Sequence, residues 1–277
     1  MIEALFQYTF LQNAFASALL ASIACGIIGT FIMEKKLVMM SGGIAHTAFG
    51  GIGLGYFLKV EPIFTALGVS VAAAIGIAAL KRKAHTDSDL LIGMFWSLGM
   101  ALGVMFIALT PGYPPDMASY LFGNILTVSQ LDIRMILVLD LIILVAVICY
   151  YQVFKAYIFD EEFTSVVGVN TTFLEYLLLI LVAITVVILI RVVGIILIIS
   201  LLTAPPAIAR QFTYDMKKIM MLSVFLGILF CLSGLWLSYT VRLASGASIV
   251  LISVAAYALV SVVRNFLGAD SKNRGGS

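Results

Sequence analysis

The sequence predicts an all-α, polytopic membrane protein of eight to nine transmembrane helices plus one short re-entrant or interfacial helix. Three observations predict it. Apolar residues make up 62% of the 277 and charged residues only 11%, against roughly 45 to 50% and 25% in soluble domains. The apolar residues fall into runs near the twenty or so needed to cross a hydrocarbon core. The Lys and Arg residues lie between those runs.

The runs are, in order, Phe10 to Met33, Leu37 to Leu58, Ile63 to Leu80, Leu90 to Thr110, Met135 to Val153, Phe173 to Ile190, Val192 to Ala209, Ile219 to Thr240 and Ile249 to Val263. Only Arg191 separates the sixth from the seventh, so these two form either separate crossings or one bent helix. The stretch Met117 to Val128 follows Pro111-Gly-Tyr-Pro-Pro-Asp116 and is too short to span, which suits a re-entrant or interfacial element. Residues 1–268 read as one membrane domain and 269–277 as a short polar tail, with Ser271 to Ser277 expected to be disordered.

Basic residues are retained on the cytoplasmic side of a membrane. The loops Glu34 to Lys36, Lys81 to Asp89, Phe154 to Thr172 and Arg210 to Lys218, with the residues after Val263, hold twelve of the sixteen. The remaining four are Lys59, Arg134, Arg191 and Arg242. With nine crossings this puts the C-terminus in the cytoplasm and the N-terminus outside.

Several function classes are excluded. A net charge of +2 with no basic block offers no nucleic-acid footprint. There is no GxxxxGK[ST] phosphate loop, no HExxH, and no GxSxG elbow. Cys25, Cys149 and Cys231 sit in apolar runs without CxxC spacing and read as buried thiols.

What remains is a small set of polar residues at membrane depth. His46 lies near the middle of the second run, where an ionisable group is expensive and functional by default. Asp140 lies inside the fifth run, at a cost of roughly 2.5 to 3.5 kcal/mol on insertion scales; lining a cavity, pairing with Arg134 or Arg191, and interfacial depth are equally open readings. His85, in the loop Lys81 to Asp89, reads as a solvated residue. Around His46 the chain is dense in glycine, with Gly42, Gly43, Gly50, Gly51 and Gly55 in Ser41-Gly-Gly-Ile-Ala-His46-Thr-Ala-Phe-Gly-Gly51-Ile-Gly-Leu-Gly55. Gly51 with Gly55, and Gly99 with Gly103, are small-xxx-small pairs that read first as helix packing, although such density also suits an irregular helix against a cavity.

Two segments between runs read as contact surfaces or connectors. Phe159-Asp-Glu-Glu-Phe163 to Gly168 has an acidic first turn, then Phe163 and Val166, then a glycine stop. Leu201 to Phe212 contains Pro205-Pro206, where a helix is expected to break, followed by Ala209, Arg210 and Gln211.

The same stretches carry a resemblance. His46 in its glycine run, Ser119-Tyr-Leu-Phe-Gly-Asn-Ile-Leu126, Phe159-Asp-Glu-Glu-Phe163 to Gly168-Val-Asn170, Leu202-Thr-Ala-Pro-Pro-Ala-Ile-Ala-Arg210 and Gly246-Ala-Ser248, in that order, resemble the permease subunits of the ABC-3 family, the zinc and manganese importers. The resemblance spans nearly the whole chain. It implies a homodimer of permeases in a prokaryotic cell membrane, with ATP bound on separate cytoplasmic subunits and an extracytoplasmic solute-binding protein that delivers the metal. It also implies that Pro205, Pro206, Ala209, Arg210 and Gln211 belong to a coupling segment that docks on the ATPase. Many members carry an Asp four residues before this His, on the same helical face; here the position is Gly42. A second copy of His46 across a dimer axis, or Asp140 from another helix, are candidate replacements for that donor.

The sequence thus points to an importer permease for a divalent transition metal, zinc or manganese with iron a further option, and no permanently bound cofactor. Two alternatives remain at this stage. A permease for a metal chelate of the siderophore or cobalamin kind would need a wider path and no His46. An ATP-independent secondary transporter would predict more intramembrane charges and inverted repeats.

Overall fold

The computed structural model describes residues 8–84, 88–112, 120–121, 123, 125, 128–241 and 243–274. Nine long helices and one short one account for nearly all of them. They are α1 (Thr9–Glu34), α2 (Val38–Leu58), α3 (Pro62–Ala84), α4 (Ser88–Leu109), α5 (Gln130–Phe159), α6 (Glu161–Val166), α7 (Thr171–Val193), α8 (Ile195–Phe212), α9 (Met216–Val241) and α10 (Ser245–Arg274). Eight of the long helices are long and apolar enough to cross a membrane. The remaining one, α2, is 21 residues long and carries six glycines and His46, which dilute its apolar content.

Ion pairs show how the helix ends group. On one face, Lys35 meets Glu161 at 2.7 Å, Arg82 meets Glu175 at 2.5 Å, Lys81 meets Glu175 at 3.5 Å, and Arg210 meets Glu34. On the opposite face, Arg191 bridges Glu61 at 2.8 Å and Asp132 at 3.0 Å. Asp132 also closes a capping box with Ser129 at the start of α5. Glu175 and Arg191 are both on α7, so that helix runs from the first face to the second, and α8 returns to the first at Arg210.

That geometry resolves the ambiguity at Arg191. The chain turns at Gly194, whose φ of +80° lies in the region only glycine adopts freely, and Arg191 marks the end of α7 on the second face. Inside the bundle, α1, α2, α7 and α8 are largely buried, whereas α4, α5 and α10 leave most of their surface outward. Large apolar side chains such as Leu141, Ile148 and Leu259 are exposed there, as a lipid-facing surface requires.

Three local expectations are corrected. The double proline does not break its helix, because α8 runs unbroken to Phe212. Pro206 has no N–H for the carbonyl of Leu202, four residues earlier, and Gly29 of α1 lies directly against that oxygen, too close for any Cβ. A close Cα–H contact thus covers the orphaned acceptor. Second, α2 is a regular helix throughout, which removes the irregular-helix alternative and leaves the first reading of its glycines, packing. Third, α10 continues to Arg274, past the predicted start of the unstructured tail; adding residues to an established helix costs little. Cys25 and Cys231 are buried free thiols as expected, but Cys149 is exposed on the outer side of α5. His85 and most of Met117 to Val128 lie outside the described residues. The described parts of the latter stretch seat on the second face, where Tyr120 shares a 2.8 Å hydroxyl bond with Tyr56, and Val128 accepts from Asn13 at 3.1 Å.

Candidate metal path and coupling face

His46 lies eight residues after Val38, about 12 Å along α2. Its surroundings are set by the contact between α2 and α4. A Cβ on Gly50 would come within 2.8 Å of the Gly99 carbonyl oxygen, and one on Gly53 within 2.8 Å of the Gly103 Cα. Gly43 meets Ile92 at 2.7 Å by the same measure. Only glycine permits backbones this close. The opposite side of α2 packs on α3, with Gly51 against Ala66 and Gly55 against Pro62 and Thr65.

The close approach carries a polar tie. The Thr47 hydroxyl donates to the Gly43 carbonyl at 2.7 Å and to the Phe95 carbonyl of α4 at 3.2 Å. With that register fixed, the His46 imidazole stacks on the Trp96 indole, with ring centroids 4.0 Å apart and planes 11° from parallel. His46 Nδ1 is buried without a hydrogen-bond partner. Beside this pair, Ile199 of α8 lies 4.0 Å from where a Gly42 Cβ would stand. Ile199 also lines an open groove of about 380 Å³ between α8 and α10, with Ile196, Thr203, Ala207, Val254 and Tyr257.

Asp140 belongs to another neighbourhood. It is 3% exposed, and neither carboxylate oxygen has a hydrogen-bond partner. It lies ten residues beyond Gln130, about 15 Å along α5. Arg191 is engaged with Glu61 and Asp132 instead. Asp140 lies within electrostatic reach of Cys25 on α1, and α5 packs chiefly on α1 and α7. The structure therefore does not bring Asp140 to His46. Among the described residues, no three His, Cys, Asp or Glu side chains gather as a cation site.

The segments flagged as contact surfaces separate cleanly. Pro205, Pro206 and Ala209 are buried in the bundle. At the end of that stretch Arg210, Gln211 and Phe212 reach the edge: Arg210 pairs with Glu34, Gln211 donates to Ser261 at 3.0 Å, and Phe212 is exposed. In contrast, α6 stands proud of the same face. Asp160 caps it by accepting from the Phe163 N–H at 2.8 Å, buried Thr164 ties it back to the Asp160 carbonyl, and Gly168 at φ +91° ends the turn. Lys35 and Arg82 hold its Glu161. Phe163 at 62% and Val166 at 85% exposure then point away from the protein.

Trp96 and the ionic clamp under α6 were not evident from residue types alone. A signal for Trp96 did exist, since it precedes Gly99 by three and Gly103 by seven residues, which places it on the helix face that those glycines press against α2.

An all-helical, multi-pass membrane protein with a lone imidazole in a glycine-packed interior and an apolar knob on one face is the class these features define. The chain belongs to the ABC 3 transport family, whose model matches residues 7–264. It is 43% identical over 257 residues to an uncharacterized membrane protein of Synechocystis, covering 93% of this chain and 91% of that one. It is 32% identical to the manganese transport system membrane protein MntC of Listeria monocytogenes, covering 91% and 90%. Among solved structures it resembles a chain of PsaBC from Streptococcus pneumoniae in complex with Fab, with a TM-score of 0.85, 30% identity, and coverage of 94% and 93%.

Proposed function

We propose that this chain is the membrane-spanning permease of an ATP-binding-cassette importer for a divalent transition metal, zinc or manganese. The observation that carries the reading is His46, an imidazole at membrane depth whose buried Nδ1 has no hydrogen-bond partner, in a family of transporters. The names of relatives such as MntC support a metal as cargo. In this reading two permeases pair, residues 1–268 form the membrane domain, and a solute-binding protein delivers the ion from outside. Metal-resolved uptake by the reconstituted complex tests it: zinc or manganese accumulation that needs ATP supports it, and accumulation without ATP refutes it.

The energy source is a separate subunit, since this sequence has no phosphate-binding loop. Its docking point is α6, with the Arg210 end of α8 beside it. The support is the exposed Phe163 and Val166 on a short helix clipped to the basic-rich face. Purified alone, the chain is expected to hydrolyse no ATP. Phe163→Glu should weaken capture of the cognate ATPase by about tenfold or more, the scale of a buried aromatic anchor, and Arg210→Glu should weaken it less. Full capture by the Phe163→Glu chain would remove α6 from the interface.

Orientation follows the same logic. In a Cys149→Ser background, a cysteine at Val60 should react with an impermeant thiol reagent on intact cells, whereas cysteines at Ser88 and Thr213 should be shielded until the membrane is opened. External labelling at Ser88 would invert the topology and put α6 outside.

A further inference from the structure

His46 and Trp96 form one rigid aromatic unit. Their stacking is set by backbone, because the Thr47 hydroxyl is tied to the Phe95 carbonyl and Gly99 abuts the His46 carbonyl. With Nδ1 sealed and unpartnered, a ligand reaches the ring through Nε2. Metal-bound imidazoles usually donate their other N–H to a carboxylate or carbonyl, which raises ligand basicity. Here no such acceptor backs the ring, and an indole face does.

The position one turn before His46 is Gly42, on the same side of α2. Trp96 occupies the space beside it, with Cζ3 only 3.7 Å from where a Gly42 Cβ would stand. Asp140 is on another helix pair. The site therefore presents an imidazole stacked on a π surface, with no carboxylate at its Nδ1.

We infer that Trp96 is the specificity-determining residue of the His46 site, backing the imidazole in place of a carboxylate and favouring zinc over manganese. The inference rests on the reading of His46 as part of the metal path. A divalent ion on Nε2 draws electron density from the imidazole, and the negative face of the indole stabilises the positive charge that results. Manganese takes its affinity from carboxylate, carbonyl and water oxygens and stands lowest in the divalent series, whereas imidazole suits zinc. An unsupported single imidazole also binds weakly, which favours passage over retention.

The test is uptake from an equimolar mixture of zinc and manganese by the assembled transporter. Wild type and Trp96→Phe should favour zinc, Trp96→Ala should lower the zinc-to-manganese ratio by about tenfold, and Gly42→Asp, whose Cβ meets only ordinary contacts, should move the ratio the same way. A second readout needs no transport. The chain has two tryptophans, so in Trp236→Phe the fluorescence reports Trp96 alone; zinc should change it, and His46→Ala should abolish the change. An unchanged ratio in a transporting Trp96→Ala complex, or a Trp96 signal blind to zinc, overturns the inference. Wild-type preference for manganese overturns it while leaving the transport reading intact, and wild type that moves neither metal overturns both.

Discussion

His46→Ala is expected to keep the permease folded, assembled and bound to its ATPase while metal uptake falls by at least about tenfold. Loss of supporting groups alone costs metal sites 10- to 100-fold, and this substitution removes the donor itself. Within one chain no described neighbour stands ready to replace it, because no three His, Cys, Asp or Glu side chains gather among the described residues, and Asp140 lies against α1. Folding should survive because His46 is half-buried and has no hydrogen bond to lose. The α2–α4 contact is instead held by Thr47 and by the glycine faces. A path that only needed room would respond in the opposite sense, with flux unchanged or raised by the smaller side chain. Uptake, crosslinked dimer and co-purified ATPase, measured on one preparation, separate these outcomes. Wild-type uptake in a well-folded His46→Ala complex would leave His46 a structural residue.

Much of the architecture was legible because lipid imposes a strict length and polarity on anything that crosses it. The runs and the distribution of Lys and Arg marked the helices and their alternation. Helix ends were less legible where a charged residue stood near a break. Arg191 drew the boundary toward itself, although Gly194 makes the turn and Arg191 is recruited by Glu61 and Asp132 from other helices. Pro205-Pro206 misled for a related reason, since local chemistry predicts a break and the remedy comes from Gly29, 176 residues before Pro205. The two segments of similar local character needed burial to tell apart: Ala209 is enclosed by the bundle, whereas Phe163 and, at the end of α8, Phe212 are exposed. At the candidate site, His46 stood out by its cost, while for Trp96 the spacing to Gly99 and Gly103 marks only a helix face, and its stacking on His46 shows once α4 is laid against α2.

Gly99 provides the largest expected effect on stability. A Cβ there would overlap the Thr47 Cα and stand 3.1 Å from the His46 carbonyl oxygen, both backbone atoms that cannot swing aside. Gly99→Ala must therefore push α4 away from α2, lengthening the bond from Thr47 to Phe95 and opening the stack of His46 on Trp96. Overpacking of this kind costs about 1 to 3 kcal/mol, which lowers the melting temperature of the detergent-solubilised chain by roughly 3 to 10 °C. Gly99→Val should abolish folded yield. The internal controls are Gly68→Ala and Gly93→Ala, where nothing lies within 4 Å of the added methyl; these should be neutral or slightly stabilising, since alanine is the better helix former. Residual Gly99→Ala protein should also show reduced metal uptake, because the displaced helix carries Trp96. If Gly99→Val melts like the wild type, the close α2–α4 contact is not what holds this site together.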